Sequence, residues 1–129
     1  ILEMLRVLEF KAALPFFQHF TKGLTLSPTE YFQRQCHIGA SFMPAHEGEN
    51  RHRIGIDKLM WGSDYPHPEG TWPNTMASLR TTFGPYPESE TRAILGTNAT
   101  QVYDFDLEKL NAIAAAIGPK LSDIQAPRP

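Results

Sequence analysis

A chain of 129 residues, 41% hydrophobic and 20% charged, has room for one core and not for two comfortable ones. Twelve basic against fourteen acidic side chains leave a net charge of -2, which removes the electrostatic case for nucleic acid or an anionic membrane as partner. The single cysteine, Cys36, excludes an internal disulfide framework and fits a reducing, cytoplasmic compartment.

Residues 1 to about 22 carry helical spacing, with Ile1, Leu5, Leu8 and Ala12 on one side and Val7, Phe10, Leu14 and Phe17 on another. Two apolar sides imply a helix covered by more protein than one sheet face. Glu3, Arg6, Glu9 and Lys11 interrupt the run well short of the ~18 apolar residues that suggest a membrane span, and no small-residue cleavage site follows. The chain opens on Ile1 inside this apparent helix, so a piece of a longer protein is expected. Pro15 should kink or end the helix, because it lacks a backbone donor and disfavours helix at Leu14. Gly23 and Ser27-Pro28 then predict a loop.

From Gln35 to Met43, Cys36, Ile38, Ala40 and Phe42 alternate with His37, Gly39, Ser41 and Met43, which predicts a buried strand closed by Pro44. Cys36 then packs in that strand, with no local motif to activate it as a nucleophile. Ala45 to Ile56 reads as a weak, polar helix or turn, with Arg51 to Arg53 on a solvated face. Lys58 to Gly62 is a second short strand, followed by an irregular loop, Ser63 to Pro73, crowded with prolines. Three helices should follow: one capped by Asn74 and running to Phe83, one starting at Pro87 with Glu88 and Glu90 in its first turn, and one capped by Asp106. The last has an apolar stripe of Leu107, Leu110, Ala114 and Ile117, and Gly118-Pro119 should stop it. Residues 119–129 read as a loose tail of a single partial domain, 1–129.

Strands alternating with helices make this an α/β chain with parallel pairing. Two parallel strands cannot bury both of their faces, so the pattern asks for further strands from elsewhere.

In such architectures functional groups gather at the carboxyl ends of strands. Asp64 stands there, two residues beyond KLMWG. An aspartate in that place can ligate a divalent ion or accept a proton. It can equally do no more than cap the loop through local backbone bonds.

WGSDYPHPEGTWPN, Trp61 to Asn74, resembles the strand-eight motif of the amidohydrolase-related family, in its aminocarboxymuconate-semialdehyde decarboxylase-like branch. SPTEYFQRQCHIGASF, Ser27 to Phe42, resembles that family's entry into strand seven, and ILGTNATQVYDFD, Ile94 to Asp106, its closing helix. The resemblance implies the C-terminal portion of a TIM-like (β/α)8 barrel: its last two strand-helix units plus terminal helices. It further implies a metal-dependent hydrolase or a non-oxidative decarboxylase of a small organic or aromatic acid, using zinc or sometimes manganese. Asp64 matches the family aspartate that ligates the metal and moves the proton. The family's metal-binding histidines sit on strands one, five and six, so the remaining ligands are expected outside this chain.

The histidines here do not replace them. His67, three residues after Asp64, is expected to contact substrate or orient the loop. HEGEN at His46 has Asn50 where a zincin helix needs its second histidine, so that reading is rejected. His46 and His52 are spaced too irregularly for one helix face. His37 reads as a hydrogen-bonded core histidine and His19 as structural. Trp72, with Tyr65 and Glu69 in the same loop, is a candidate for stacking on substrate. Asn98 lies in an Asn-Ala-Thr sequon but is better explained as the N-cap of the turn that follows.

The expected partner is a small-molecule substrate, with no nucleic acid or membrane, and a homo-oligomer is compatible with the apolar helix faces. The rival expectation is a catalytically silent chain or assembly partner that lacks the metal-binding histidines.

Overall fold

The structure is a computed structural model and describes residues 1–125. Its first half runs α1 (Leu2–Ala13), a 3-10 turn (Pro15–Phe17), α2 (Gln18–Thr21), α3 (Pro28–Gln35), β1 (Ile38–Ser41), α4 (Ala45–Gly48) and α5 (Arg51–Ile54). A second 3-10 turn (Ile56–Lys58) leads into β2 (Leu59–Gly62), then α6 (Thr75–Phe83) and α7 (Glu88–Arg92). A π-helical turn (Ala93–Thr97) passes into α8 (Asn98–Val102), followed by α9 (Leu107–Ile117) and α10 (Leu121–Gln125). This is the expected α/β order with more helix than the sequence suggested.

The two strands pair in parallel, Ile38 with Leu59 through Ser41 with Gly62. Side chains alternate across a strand, so Ile38, Ala40, Leu59 and Trp61 share one face. That face packs against the core, where Phe83 is 0% exposed, Met43 and Ile94 1%, and Leu59 2%. On the other face a side chain at Gly39 or Gly62 would meet nothing within 4 Å.

Pro15 acts as expected. Leu14 is extended at φ -78° and ψ 133°, α1 ends, and a 3-10 turn takes over. The predicted loop after Ser27 is instead α3, started by a reciprocal capping box: Ser27 Oγ accepts from Glu30 N–H, and Glu30 Oε2 accepts from Ser27 N–H at 2.8 Å. Ser-Pro-Thr-Glu carried that signal in the sequence. The first strand is correspondingly short, and Cys36 and His37 lie ahead of it, both exposed. Neither is the buried residue expected, because α3 ends at Gln35 and the strand's covered face begins only at Ile38.

Further along, Asp106 caps α9 by accepting from Lys109 N–H at 3.0 Å, and Gly118 ends it. Asn74 and Pro87 sit at the N-cap positions of α6 and α7, but the Asn74 side chain makes no cap bond. Arg51 departs from its solvated assignment. Its Nε bonds Glu90 Oε2 at 2.6 Å and its guanidinium lies 3.7 Å from the Tyr86 ring centroid, tying α5 to α7. Burial pushes the Tyr86 phenol above its ordinary range. The expected loose tail is also corrected: residues 121–125 are helical, Ile124 is 4% exposed in the core, and Arg80 Nε donates to Asp123 O at 2.6 Å. Residues 126–129 of that segment lie outside the described residues.

Candidate functional site

Parallel strands that end together leave their last carbonyls and the following loops at one rim. Phe42 N–H donates to Gly62 O at 2.9 Å, so the ladder extends one residue past β1. Phe42 does this at φ +43°, which costs a bulky side chain of order 1–3 kcal/mol and recurs at functional sites. Asp64, on the neighbouring strand end, stands at φ +60°, a conformation aspartate tolerates better than most residues.

The loop after Asp64 is closed by its own backbone. His67 N–H donates to Asp64 O at 2.7 Å, Gly70 N–H to His67 O at 2.9 Å, and Thr71 N–H returns to Ser63 O at 2.9 Å. Thr71, 9% exposed, also meets Thr75 through their hydroxyls at 3.0 Å, which fastens the loop to α6. Asp64 therefore stabilises the loop through its carbonyl. Among the described residues its carboxylate accepts no hydrogen bond, so capping does not account for the side chain.

The structure brings His67 to Asp64. Nδ1 lies 3.5 Å from Asp64 Oδ2, with the side chains 56% and 37% exposed. The same Nδ1 lies 3.3 Å from the Glu69 backbone nitrogen. Trp72 is placed beside the pair and not with it. Its ring is 67% exposed, stands edge-on to Tyr65 at 5.8 Å, and lines an open cleft of about 950 Å³. Trp61, Met76, Arg80 and Ile117 line that cleft, whereas Asp64 and His67 do not. Its wall is mostly apolar, with Arg80 and Asp123 as its charged residues.

His19, His37, His46 and His52 are all exposed and away from Asp64. His52 Nε2 instead approaches Glu90 Oε1 at 3.4 Å. Among the described residues no three His, Cys, Asp or Glu side chains come together as a metal-ligand group. A catalytic zinc takes about three protein ligands and an open position. One carboxylate and one imidazole, with a ring nitrogen already engaged, do not make up that set. No helix of the described residues is long and apolar enough to cross a membrane.

Two further residues shape the site, Gly70, which the sequence reading passed over, and Asn98, which it expected as an N-cap. Gly70 packs against the carbonyls of the Asp64 loop. Asn98 is 5% exposed and donates through Nδ2 to Ile56 O at 2.7 Å and Leu59 O at 2.8 Å. It is held against β2, yet it is not an N-cap; Thr97 occupies that position of α8. Its use of both amide protons on carbonyls also sets aside the sequon.

A sequence model described as amidohydrolase matches residues 8–105, from α1 through both strands and the Asp64 loop to the end of α8. No curated protein matches the chain.

Proposed function

The chain belongs to the amidohydrolase family, and on that premise we propose that it supplies the strand-eight corner of a metal-dependent active site. The protein in which it works is a TIM-like barrel of the aminocarboxymuconate-semialdehyde decarboxylase-like branch, and these residues are its C-terminal portion. Asp64 furnishes one carboxylate ligand to a divalent ion, zinc or manganese, and holds the transferred proton. The other ligands come from strands outside the described residues. The ion's chemistry is polarisation of the substrate.

The observation that carries the reading is Asp64 itself: a carboxylate just past the end of a parallel strand, with no hydrogen bond of its own, in a loop fixed by other atoms. Trp72 and Tyr65 offer aromatic faces beside it, suited to a planar aromatic or unsaturated acid. His67 adds an imidazole 3.5 Å from the carboxylate. Hydrolysis of a carbon-heteroatom bond and loss of carboxylate both suit this set, and a reducing cytoplasm suits the free thiol of Cys36.

The silent-partner reading has one observation in its favour, the shortage of metal donors among the described residues. The two separate on metal content. The gene product containing these residues, purified and dialysed, should retain about one zinc or manganese per chain. Its Asp64→Asn variant should lose most of it, together with hydrolysis or carbon dioxide release on aromatic acids. Equal retention in both proteins refutes Asp64 as a ligand, and absence of metal from the parent favours the silent partner.

A further inference from the structure

We propose that the cleft beside the Asp64 loop is a binding site for an apolar monocarboxylate, with the Arg80 guanidinium as its anion-recognising group. Asp64 and His67 do not line this cleft, so the site is separate from the proposed metal corner and does not rest on it.

The two charged residues of the cleft, Arg80 and Asp123, do not neutralise each other. Arg80 Nε donates to the backbone oxygen of Asp123 at 2.6 Å. The Asp123 carboxylate has another task, accepting from Lys120 N–H at 2.9 Å at the start of α10. Among the described residues the two terminal nitrogens of Arg80 make no hydrogen bond, and no carboxylate stands within ion-pair distance of them. Arg6, Arg51 and Arg92 differ in this, each holding a glutamate at 2.6 Å. A guanidinium fixed through Nε keeps its other edge, the pair of terminal nitrogens, for a planar anion with two oxygens.

The rest of the wall sets the body of the ligand. Met76 and Arg80 lie one turn apart on α6, with the buried Leu79 beside them, so the cation rises from an apolar stretch of helix. Trp61, Trp72 and Ile117 extend that wall around about 950 Å³, room for a body of several carbons. A single uncompensated cation takes one carboxylate, and the negative charge of Asp123 opposes a second.

Trp61 and Trp72 are the only two tryptophans of the chain and both line the cleft, so intrinsic fluorescence reads its occupancy. Sodium hexanoate, titrated into the chain at low fixed concentration against sodium chloride of equal ionic strength, should give a saturable change below about 20 mM. Hexanamide, of the same shape without the charge, should bind at least about tenfold more weakly, and so should hexanoate to Arg80→Gln. If Arg80→Gln does not fold, Ile117 serves, because at 82% exposed its replacement leaves the core alone. Ile117→Glu should weaken hexanoate at least about threefold, and Ile117→Lys should tighten it by a similar factor. Equal binding of hexanoate and hexanamide overturns the proposal, as does a folded Arg80→Gln or Ile117→Glu protein that binds hexanoate like the parent. A signal that follows chain concentration in place of hexanoate also overturns it, a second copy then being what closes the cleft. Asp64→Asn keeps the two readings apart: it should abolish metal retention in the gene product and leave hexanoate binding as in the parent.

Discussion

Asn98 holds the strand that leads to Asp64, and its removal has a calculable cost. Its side-chain amide is 5% exposed and spends both protons on carbonyls at either end of the approach to β2, Ile56 O at 2.7 Å and Leu59 O at 2.8 Å. A buried hydrogen bond contributes about 1 kcal/mol net, and an acceptor left orphaned costs about 1–3 kcal/mol. Asn98→Ala removes two buried bonds, and although Ile56 O keeps the Leu59 N–H, Leu59 O loses its side-chain donor, so a loss of about 2–3 kcal/mol follows. For a chain of this size that lowers Tm by about 6–12 °C. Urea unfolding at fixed chain concentration reads the change, since the midpoint of an associating chain moves with concentration.

Asn98→Asp sharpens the test. It keeps the volume and replaces the donor by a carboxyl facing two carbonyl oxygens. Ionisation there is opposed by burial and by both dipoles, so the carboxyl of this variant is held above the ordinary carboxylate range. A group whose pKa is raised on folding loses stability as pH rises through that folded value. The variant should therefore lie nearest the parent near pH 4, short by the one bond its single O–H cannot replace, and fall further behind steadily toward pH 8. A loss below about 0.5 kcal/mol for Asn98→Ala, or a pH-independent deficit for Asn98→Asp, refutes the clamp.

Two further outcomes follow from the surface. Ser27 N–H, then its hydroxyl, holds the Glu30 carboxyl below its ordinary range, and Thr29 does the same to Glu9 through its hydroxyl and its N–H. Carboxyls lowered on folding stabilise above their unfolded range near about pH 4.3 and cease to as pH falls through the folded value, so α3 should loosen from α1 in that acid window. Amide titration by NMR checks this, and an unchanged acid midpoint in a Glu9→Gln, Glu30→Gln double variant refutes it. Separately, Phe16 is 75% exposed, Phe20 68% and Ile117 82%, so the isolated chain should associate with rising concentration in sedimentation. A monodisperse monomer with one sharp unfolding transition contradicts that.

What the sequence made legible was local. Pro15, Asp106 and Gly118 act within one turn of themselves, and each ends or starts a helix as its chemistry requires. The capping box at Ser27 was equally local, and the loop reading of that segment gave too much weight to Ser-Pro and too little to the glutamate three residues on. Burial is another matter. Period-two alternation says which residues share a face but not whether anything covers it. Cys36 and His37 fit the alternation and lie in solvent, and Leu107, Leu110 and Ile117 fit a helical stripe and stay 42%, 40% and 82% exposed. The contacts of Asn98 with Ile56 and Leu59 and of Arg51 with Glu90 span about forty residues, beyond the reach of any window pattern.

The sheet shows why Asp64 could be found from sequence while its site could not be completed. Ile38, Ala40, Leu59 and Trp61 turn one face to the core that includes Leu79 and Phe83 of α6, with Leu59 buried and the other three partly covered. The opposite face has open space at Gly39 and Gly62, although Met60 between them is buried, and β1 and β2 have only each other as strand partners among the described residues. Parallel sheets are stable when both faces are covered. A chain with two strands and one better-covered face therefore has its local chemistry in place, the strand end and the loop that presents Asp64. On the proposed reading, the further groups that converge on that carboxylate come from other strands. This asymmetry, and not the shortage of histidines alone, is why the metal measurement belongs to the gene product that contains these residues.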